Sequence, residues 1–178
     1  MIMESSERPV TEIYLQPGQY LIAGPACRIR TLLGSCVSIV LWHPQRKVGA
    51  MSHCLLPSRG SLKRHSKHDA RYLDEAFYLM LRELLELDVS LAHCQAKVFG
   101  GGNMFPQHAR SDQMHIGRKN GDMARALLEE AGVPMVSEHL FGVGYRNIVF
   151  DIDSGDVWVR QVDCKPGMDI SGQEICPR

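Results

Sequence analysis

Two segments of this chain carry a cysteine and a histidine at a spacing that suits nucleophilic chemistry. Cys36 follows Gly34-Ser35 at the start of an apolar segment, and His53 lies near the end of the next such segment, before Cys54. An imidazole beside a thiol can take its proton, and the thiolate can then attack a carbonyl or carboxamide carbon. The imidazolium can then protonate the leaving amine. Because the imidazole takes the thiol proton, we expect Cys36 to be ionised at neutral pH. Gly34 leaves room for a substrate, and N–H groups near Ser35 and Cys36 suit an oxyanion.

This pairing depends on a predicted β-hairpin between the two residues. Residues 37–42 and 48–53 alternate in character, and residues 43–46 predict a four-residue turn in which Pro44 fixes φ. A turn centred on Pro44-Gln45 gives three opposed pairs: Val40 with Gly49, Ser38 with Met51 and Cys36 with His53. Opposed Cβ atoms are about 4.5–5.5 Å apart. Pro44 excludes the φ > 0 of two-residue hairpin turns, which leaves a longer loop open, and a one-residue slip would separate the two faces.

The spacing alone leaves a structural interpretation open as well. In that interpretation Cys36 is a small buried strand residue, and His53 is a polar neighbour with satisfied hydrogen bonds. Cys54 is adjacent to His53 in sequence, but successive strand residues point to opposite faces, so we expect its thiol to turn away from the imidazole.

Length and composition predict an ordinary globular protein. The chain has 178 residues, 44% of them apolar and 22% charged, and its Lys plus Arg count equals its Asp plus Glu count at 20 each. We expect one domain over residues 1–178, with a core at about 11–162 and a loosely held tail at 163–178. The balanced charge argues against a nucleic-acid partner, and apolar runs are too short to insert in a membrane. Residues 1–10 lack the apolar segment of a signal peptide, which predicts a cytoplasmic location.

The remaining motifs predict neither a metal site nor a cofactor site. The six cysteines include no C-x-x-C pair, and we expect free thiols. His65 and His68 in a basic loop supply two metal ligands where a structural zinc site needs four. The "FGGGN" segment at residues 99–103 lacks the G-K-[ST] of a phosphate loop, so we interpret it as a glycine loop that lets backbones pack closely near the site.

Periodicity predicts an α/β (α+β) layered sandwich with mixed β-sheet layers and two main helices. The first helix runs from near Asp69, as its cap, to Asp88. Its apolar stripe repeats with helical spacing: Leu73, Ala76, Phe77, Met80, Leu81, Leu84 and Leu85. The second runs from about Asn120 to Ala131 and stops at Gly132. A hairpin turning at residues 153–155 follows.

Four linked motifs then give the chain a specific resemblance. It resembles the chemoreceptor glutamine deamidase family, CheD, in "TLLGSCVSIVLW", "VGAMSHCLLP", "KVFGGGNMF" and "IGRKN", which lie between Thr31 and Asn120. The resemblance extends over about residues 11–161. It implies a fold similar to a toxin deamidase catalytic domain, with Cys36 as nucleophile, His53 as general base and acid, and Thr31 as a third site residue.

The resemblance also implies the reaction and the partners. Glutamine side chains of methyl-accepting chemotaxis receptors would be hydrolysed to glutamate through a thioester, with release of ammonia and with no metal or organic cofactor. A CheC-type phosphatase of the response regulator is a further expected partner. Two alternatives remain: a non-catalytic regulator of such a phosphatase, and a cysteine protease or transferase using the same Cys–His pair.

Overall fold

The computed structural model describes residues 9–60, 67–104 and 112–162, with side chains of the second helix described from Ile116 onward. These residues form nine strands and two α-helices. The strands are β1 (Thr11–Tyr14), β2 (Tyr20–Ala23), β3 (Cys27–Leu33), β4 (Val37–His43), β5 (Val48–Ser52), β6 (Gln95–Gly100), β7 (Met135–Leu140), β8 (Tyr145–Asp151) and β9 (Val157–Val162). The helices are α1 (Leu73–Glu86) and α2 (Asp112–Glu130). The predicted basic loop lies partly, and the predicted tail wholly, outside the described residues.

The strands form two mixed sheets. One has four strands in the order β1-β3-β8-β9, and the other has five in the order β2-β5-β4-β6-β7. The pairs β1–β3 and β6–β7 are parallel, and the other strand pairs of the described residues are antiparallel. The chain crosses from one sheet to the other between β1 and β2.

Two apolar clusters make a layered structure. One lies between the sheets and includes Ile29, Met51 and Phe150, and the other lies between the five-stranded sheet and the helices and includes Leu41 and Leu128. Strand β4 supplies both, because successive side chains of a strand point to opposite faces. The α+β layered sandwich with two main helices, predicted from periodicity, is confirmed.

Helix α1 begins later than predicted. Tyr72 is its N-cap and provides no side-chain hydrogen bond, while Asp69 instead binds the backbone N–H of Arg71 at 3.0 Å. The first N–H groups of the helix donate to the carbonyls of Leu56 and Pro57, at 2.9 and 3.3 Å. Asp69 is therefore wrong as the cap, because carbonyls of the preceding loop satisfy the donors that a capping side chain usually accepts.

Helix α2 ends as predicted and begins earlier. Gly132 has φ +66°, and the N–H groups of Gly132 and Val133 donate to the carbonyls of Glu129 and Leu128 in a Schellman motif. The helix starts at Asp112, before the predicted Asn120. Its first part is missed because residues 112–119 carry no clear apolar period, which is the signal that predicts a helix.

The predicted register of the β4–β5 hairpin is wrong by two positions. Val40 pairs with Met51 instead of Gly49. A four-residue loop, 44–47, joins the strands, and its last residue, Lys47, has φ +49°. The predicted turn leaves only Pro44 and Gln45 unpaired between the strands, whereas the observed loop leaves four residues unpaired. The centre of the hairpin therefore moves by one residue and the pairing shifts by two, which keeps each side chain on its predicted face.

Candidate active site

Cys36 and His53 lie on the same face of the five-stranded sheet, as diagonal neighbours. Beyond the regular strands, Val37 and Cys54 pair through two backbone hydrogen bonds of 3.0 and 2.9 Å. In this register His53 is opposite Ser38, so the predicted direct opposition of Cys36 and His53 is wrong. Diagonal neighbours on one face of a sheet have Cα atoms about 7–8 Å apart, with the Cβ atoms somewhat closer. The half-buried Cys36 packs against the cluster between the sheets, while Cys54 belongs to the helix-side cluster.

The imidazole of His53 is fixed by Thr31. His53 and Thr31 are 2% and 1% exposed, and the Thr31 hydroxyl lies 2.7 Å from Nδ1 of the ring. That hydroxyl donates its only proton to the carbonyl of Leu15, at 2.8 Å, so toward the ring it can only accept. We therefore assign the proton to Nδ1, which leaves Nε2 unprotonated and available as a base.

The crossing between the sheets fixes the backbone of His53. Its N–H donates to the carbonyl of Gln19, and its carbonyl accepts from the N–H of Gly18, both at 2.8 Å. Together with Leu15, the segment between β1 and β2 therefore determines both the position and the tautomer of the ring.

The glycine loop after β6 packs directly against the cysteine segment. Gly101 and Gly102 donate their N–H groups to the carbonyls of Cys36 and Gly34, each at 2.8 Å. A Cβ atom on Gly100, whose φ is +115°, would collide with the carbonyl oxygen of Cys36. The interpretation of "FGGGN" as a loop for close backbone packing near the site is confirmed.

A contact that the sequence did not reveal comes from helix α2. The side-chain amide of Asn120 donates to the carbonyls of Ser35 and Leu55, at 3.1 and 3.0 Å. Asn120 belongs to the "IGRKN" motif, but the helical stripe around it predicts only a core helix, and a polar residue facing that core was the available signal.

An open cleft of about 350 Å³ adjoins the thiol. It is lined by Ser35, Cys36, Leu55, Leu56, Arg71, Tyr72 and Ile116. The guanidinium of Arg71, at the cleft, binds the carboxylate of Asp69 through two hydrogen bonds of 2.8 and 2.6 Å. The cleft is thus mainly apolar with an ion pair beside it, and it is large enough for a single side chain.

Burial disfavours the charged forms of both Cys36 and His53. Burial raises the pKa of the Cys36 thiol, against the smaller opposing effect of its own backbone N–H. Burial also lowers the pKa of His53 to about 4, against the opposing effect of the Leu15 carbonyl. The effect of the Leu15 carbonyl is the smaller one, and the neutral hydroxyl of Thr31 brings no charge that would offset the cost of burial. The raised pKa of Cys36 goes against the expectation that its thiol is ionised at neutral pH.

The described residues contain neither a metal-binding cluster nor a membrane-spanning helix. No group of three or more His, Cys, Asp or Glu side chains is arranged to hold a metal ion there. In the same part of the chain, neither helix combines the length and apolar character needed to cross a membrane.

Comparison with known proteins identifies the family. The family model for CheD chemotactic sensory transduction matches residues 55–161, which is more than half of the chain. The probable chemoreceptor glutamine deamidase CheD 2 of Albidiferax ferrireducens is 54% identical over 160 residues, covering 90% of this chain and 92% of the relative. The corresponding proteins of Pseudomonas savastanoi pv. phaseolicola and Pyrococcus abyssi are 42% and 38% identical, each over 85% of this chain and over 85% and 92% of their own lengths. The chain therefore belongs to the CheD family.

Proposed function

We propose that this protein is a chemoreceptor glutamine deamidase, which hydrolyses glutamine side chains of methyl-accepting chemotaxis receptors to glutamate. The observation that carries the proposal is the hydrogen bond from His53 to Thr31, which leaves Nε2 free as a base on the face that also bears Cys36. Relatives named as chemoreceptor glutamine deamidases over most of the chain support the same activity.

In the first half of the reaction, the sulfur of Cys36 attacks the carboxamide carbon as His53 takes the thiol proton. The resulting tetrahedral oxyanion accepts a hydrogen bond from the backbone N–H of Cys36. The imidazolium then gives its proton to the departing nitrogen, which leaves as ammonia, and a thioester remains on Cys36.

In the second half, His53 takes a proton from water as the water attacks the thioester. The carbon–sulfur bond breaks, the thiol recovers its proton, and glutamate is released. The sum is one carboxamide and one water giving one carboxylic acid and one ammonia, so the chain's own side chains supply all the acid and base chemistry.

The neutral resting pair determines when the charges appear. Since burial disfavours both the thiolate and the imidazolium, the proton moves as the bond to the substrate forms and not before. Charge then develops where the Cys36 N–H can stabilise it, which favours the transition state over the free enzyme.

The cleft suits a glutamine presented on a protein surface. Leu55, Leu56 and Ile116 can contact the methylene groups of the side chain, while the thiol lies at the cleft's wall. An open cleft of this kind leaves selection among receptor glutamines to the surrounding surface.

The proposed location is the cytoplasm, with one further proposed partner. The four described cysteines are free thiols, a state that persists in a reducing compartment. A CheC-type phosphatase remains the second predicted partner, and co-purification of the two proteins tests it.

The decisive experiment uses a purified receptor fragment with wild type and Cys36→Ala in parallel. Intact-mass analysis should show an increase of about one dalton per modified glutamine, with ammonia released in equal amount, for wild type alone. Cleaved receptor would indicate a protease, and a mass gained from an added amine would indicate a transferase. Unmodified receptor with wild type would contradict the proposal.

A further inference from the structure

Helix α2 approaches the glycine loop after β6 and the ring of Phe141 more closely than ordinary side chains allow. A Cβ atom on Gly117 would lie 2.7 Å from the carbonyl oxygen of Gly101, and one on Gly121 would overlap the ring of Phe141. Glycine weakens a helix interior, so two glycines four residues apart on one helix face indicate that close approach matters here. Asn120 lies on this face and is completely buried.

Both donors of the Asn120 amide are used by the two segments that carry the reacting residues. One acceptor is the carbonyl of Ser35, directly before Cys36, and the other is the carbonyl of Leu55, two residues after His53. Only the NH₂ end of the amide can face two carbonyl oxygens, which fixes the orientation of the side chain. One side chain therefore holds the nucleophile's segment against the end of the base's strand.

The remaining amide oxygen lowers the stability that the Asn120 side chain contributes. Oδ1 of Asn120 is buried without a hydrogen-bond partner in the part of the chain that the structure describes. An unpaired buried acceptor is unfavourable for folding, and its cost offsets part of what the two hydrogen bonds to the carbonyls of Ser35 and Leu55 contribute. The two bonds that Nδ2 makes are the feature that distinguishes asparagine from such a side chain.

Three successive carbonyls of the cysteine segment are held by donors. Gly34 and Cys36 accept from the glycine loop, and Ser35 accepts from Asn120. In a trans peptide the N–H points opposite to the C=O. With the Ser35 carbonyl fixed toward α2, the N–H of Cys36 is directed away from the helix, and it lies beside the Cys36 thiol.

We propose that Asn120 is a positioning residue of the deamidase, which orients the Ser35–Cys36 peptide so that the N–H of Cys36 donates to the tetrahedral oxyanion. The proposal rests on the proposed function, because it requires Cys36 to be the nucleophile. Asn120 does not touch the substrate; it acts through the peptide that it holds.

The test compares Asn120→Ala and Asn120→Asp with Leu128→Ala, a matched control. Leu128 is buried on the same helix and packs in the helix-side cluster, so its truncation weakens α2 without removing the amide. Asn120→Asp preserves the volume but places an oxygen against two carbonyl oxygens. The measurements are kcat and KM on the receptor fragment, and the rate of Cys36 alkylation by chloroacetamide, at a temperature where every variant is folded.

We expect kcat to fall about 100-fold in Asn120→Ala with KM within about threefold of wild type, since the oxyanion forms only in the transition state. The loss in Asn120→Asp should be at least as large. Alkylation forms no oxyanion, so its rate in Asn120→Ala should stay within about threefold of wild type.

Three outcomes would overturn the proposal. The first is wild-type kcat in Asn120→Ala, and the second is an equal loss of kcat in Leu128→Ala. The third is a parallel fall of kcat and alkylation rate, which indicates a general structural role. Inactivity of wild type as well as Cys36→Ala would instead overturn the proposed function, and this inference with it.

Discussion

The two faces of the five-stranded sheet, at the end of β4 and β5, carry the same chemical group in two different environments. On the helix side, the thiol of Cys54 is fully buried, and burial raises its pKa to about 12. Cys36 packs on the side of the second sheet, the face that it shares with His53, and it also borders the cleft. Both thiols lie within one residue of the Val37–Cys54 pair. Strand parity, and not proximity in sequence, decides which thiol shares a face with His53.

The second sheet makes the difference between the faces. Ile29, Thr31 and Leu33 point from β3 into the space between the sheets, and all three are buried. The alternation of β3 predicts an apolar residue between Ile29 and Leu33, but the residue at that position is Thr31. Its hydroxyl lies 2.7 Å from the His53 ring, whereas Cys54 packs in the apolar helix-side cluster, with the hydroxyl of Ser52 as its hydrogen-bond partner.

The largest expected effect separates the two thiols directly. Cys36→Ala should lower deamidation at least about 10³-fold, because a methyl group can neither attack nor carry a thioester. Cys54→Ala should retain kcat and lose about 1 kcal/mol of unfolding free energy, since it removes only a small buried group. Receptor mass analysis and chemical denaturation check the two changes. Loss of activity in a Cys54→Ala variant that is still folded would contradict the difference expected between the two thiols.

Removal of the base should cost about as much as removal of the nucleophile. We expect His53→Ala to lower kcat by about 10³-fold, and the double variant with Cys36→Ala to be no worse than either single variant. The measurement is ammonia release from the receptor fragment. Additive losses would indicate that the two side chains do not act as one unit.

Burial of neutral His53 should make stability depend on pH. Above pH 6.5 the ring is neutral in both states, and its contribution is complete. As the pH falls below 6.5, the unfolded chain takes up a proton that the native ring, with a pKa of about 4, does not. We expect about 3 kcal/mol to be lost between pH 6.5 and 4. Denaturation of Cys36→Ala should show this loss, and that of Cys36→Ala/His53→Ala should not.

Thr31→Val tests the difference between the two faces, because it removes the hydroxyl that contacts His53 on the side of the second sheet. The substitution keeps the shape and removes the hydroxyl, so the ring loses the partner that fixes its tautomer. We expect kcat to fall about 10- to 30-fold, since the ring is still present but less well placed. Thr31→Ser keeps the hydroxyl and is the control. Equal loss in both variants would assign the effect to packing.

A limiting amount of an alkylating reagent should distinguish Cys36 from Cys54 without any substitution, and it gives the smallest of the expected effects. Cys36 should be labelled before Cys54, because it borders the cleft, and inactivation should follow its labelling. With a raised pKa, its rate should rise about tenfold per pH unit from pH 6 to 8. A rate that is already constant across that range would indicate a thiolate–imidazolium pair in the resting enzyme.

Parity explains why the sequence predicted the face of each side chain and missed the register. The alternation of β4 and β5 depends on nearest neighbours, and it survives a shift of two positions. The shift itself comes from the loop at 44–47, where Lys47 adopts a left-handed conformation. Lysine rarely adopts this conformation, so its presence in the sequence does not predict the longer loop. The end of α2 was predictable from Gly132, because glycine at that position has a local cause.

The other errors arise from contacts between distant segments. The shifted pKa values of Cys36 and His53 arise from burial in the folded protein, which no local pattern reports. The cap of α1 is missing because the Leu56 carbonyl replaces it. Asn120 was placed in a helix but not at the site, since its two acceptors lie 85 and 65 residues away along the chain.

The crossing between β1 and β2 has a consequence for the newly synthesised chain. The ribosome releases the segment that fixes the ring, Leu15 to Gln19, well before His53 itself. The Cys36 segment must wait for Gly101 and Gly102, and the strand that carries Thr31 waits longer for its partner β8. A nascent chain that ends before β8 therefore contains Thr31, Cys36 and His53 but lacks the strand that pairs with β3.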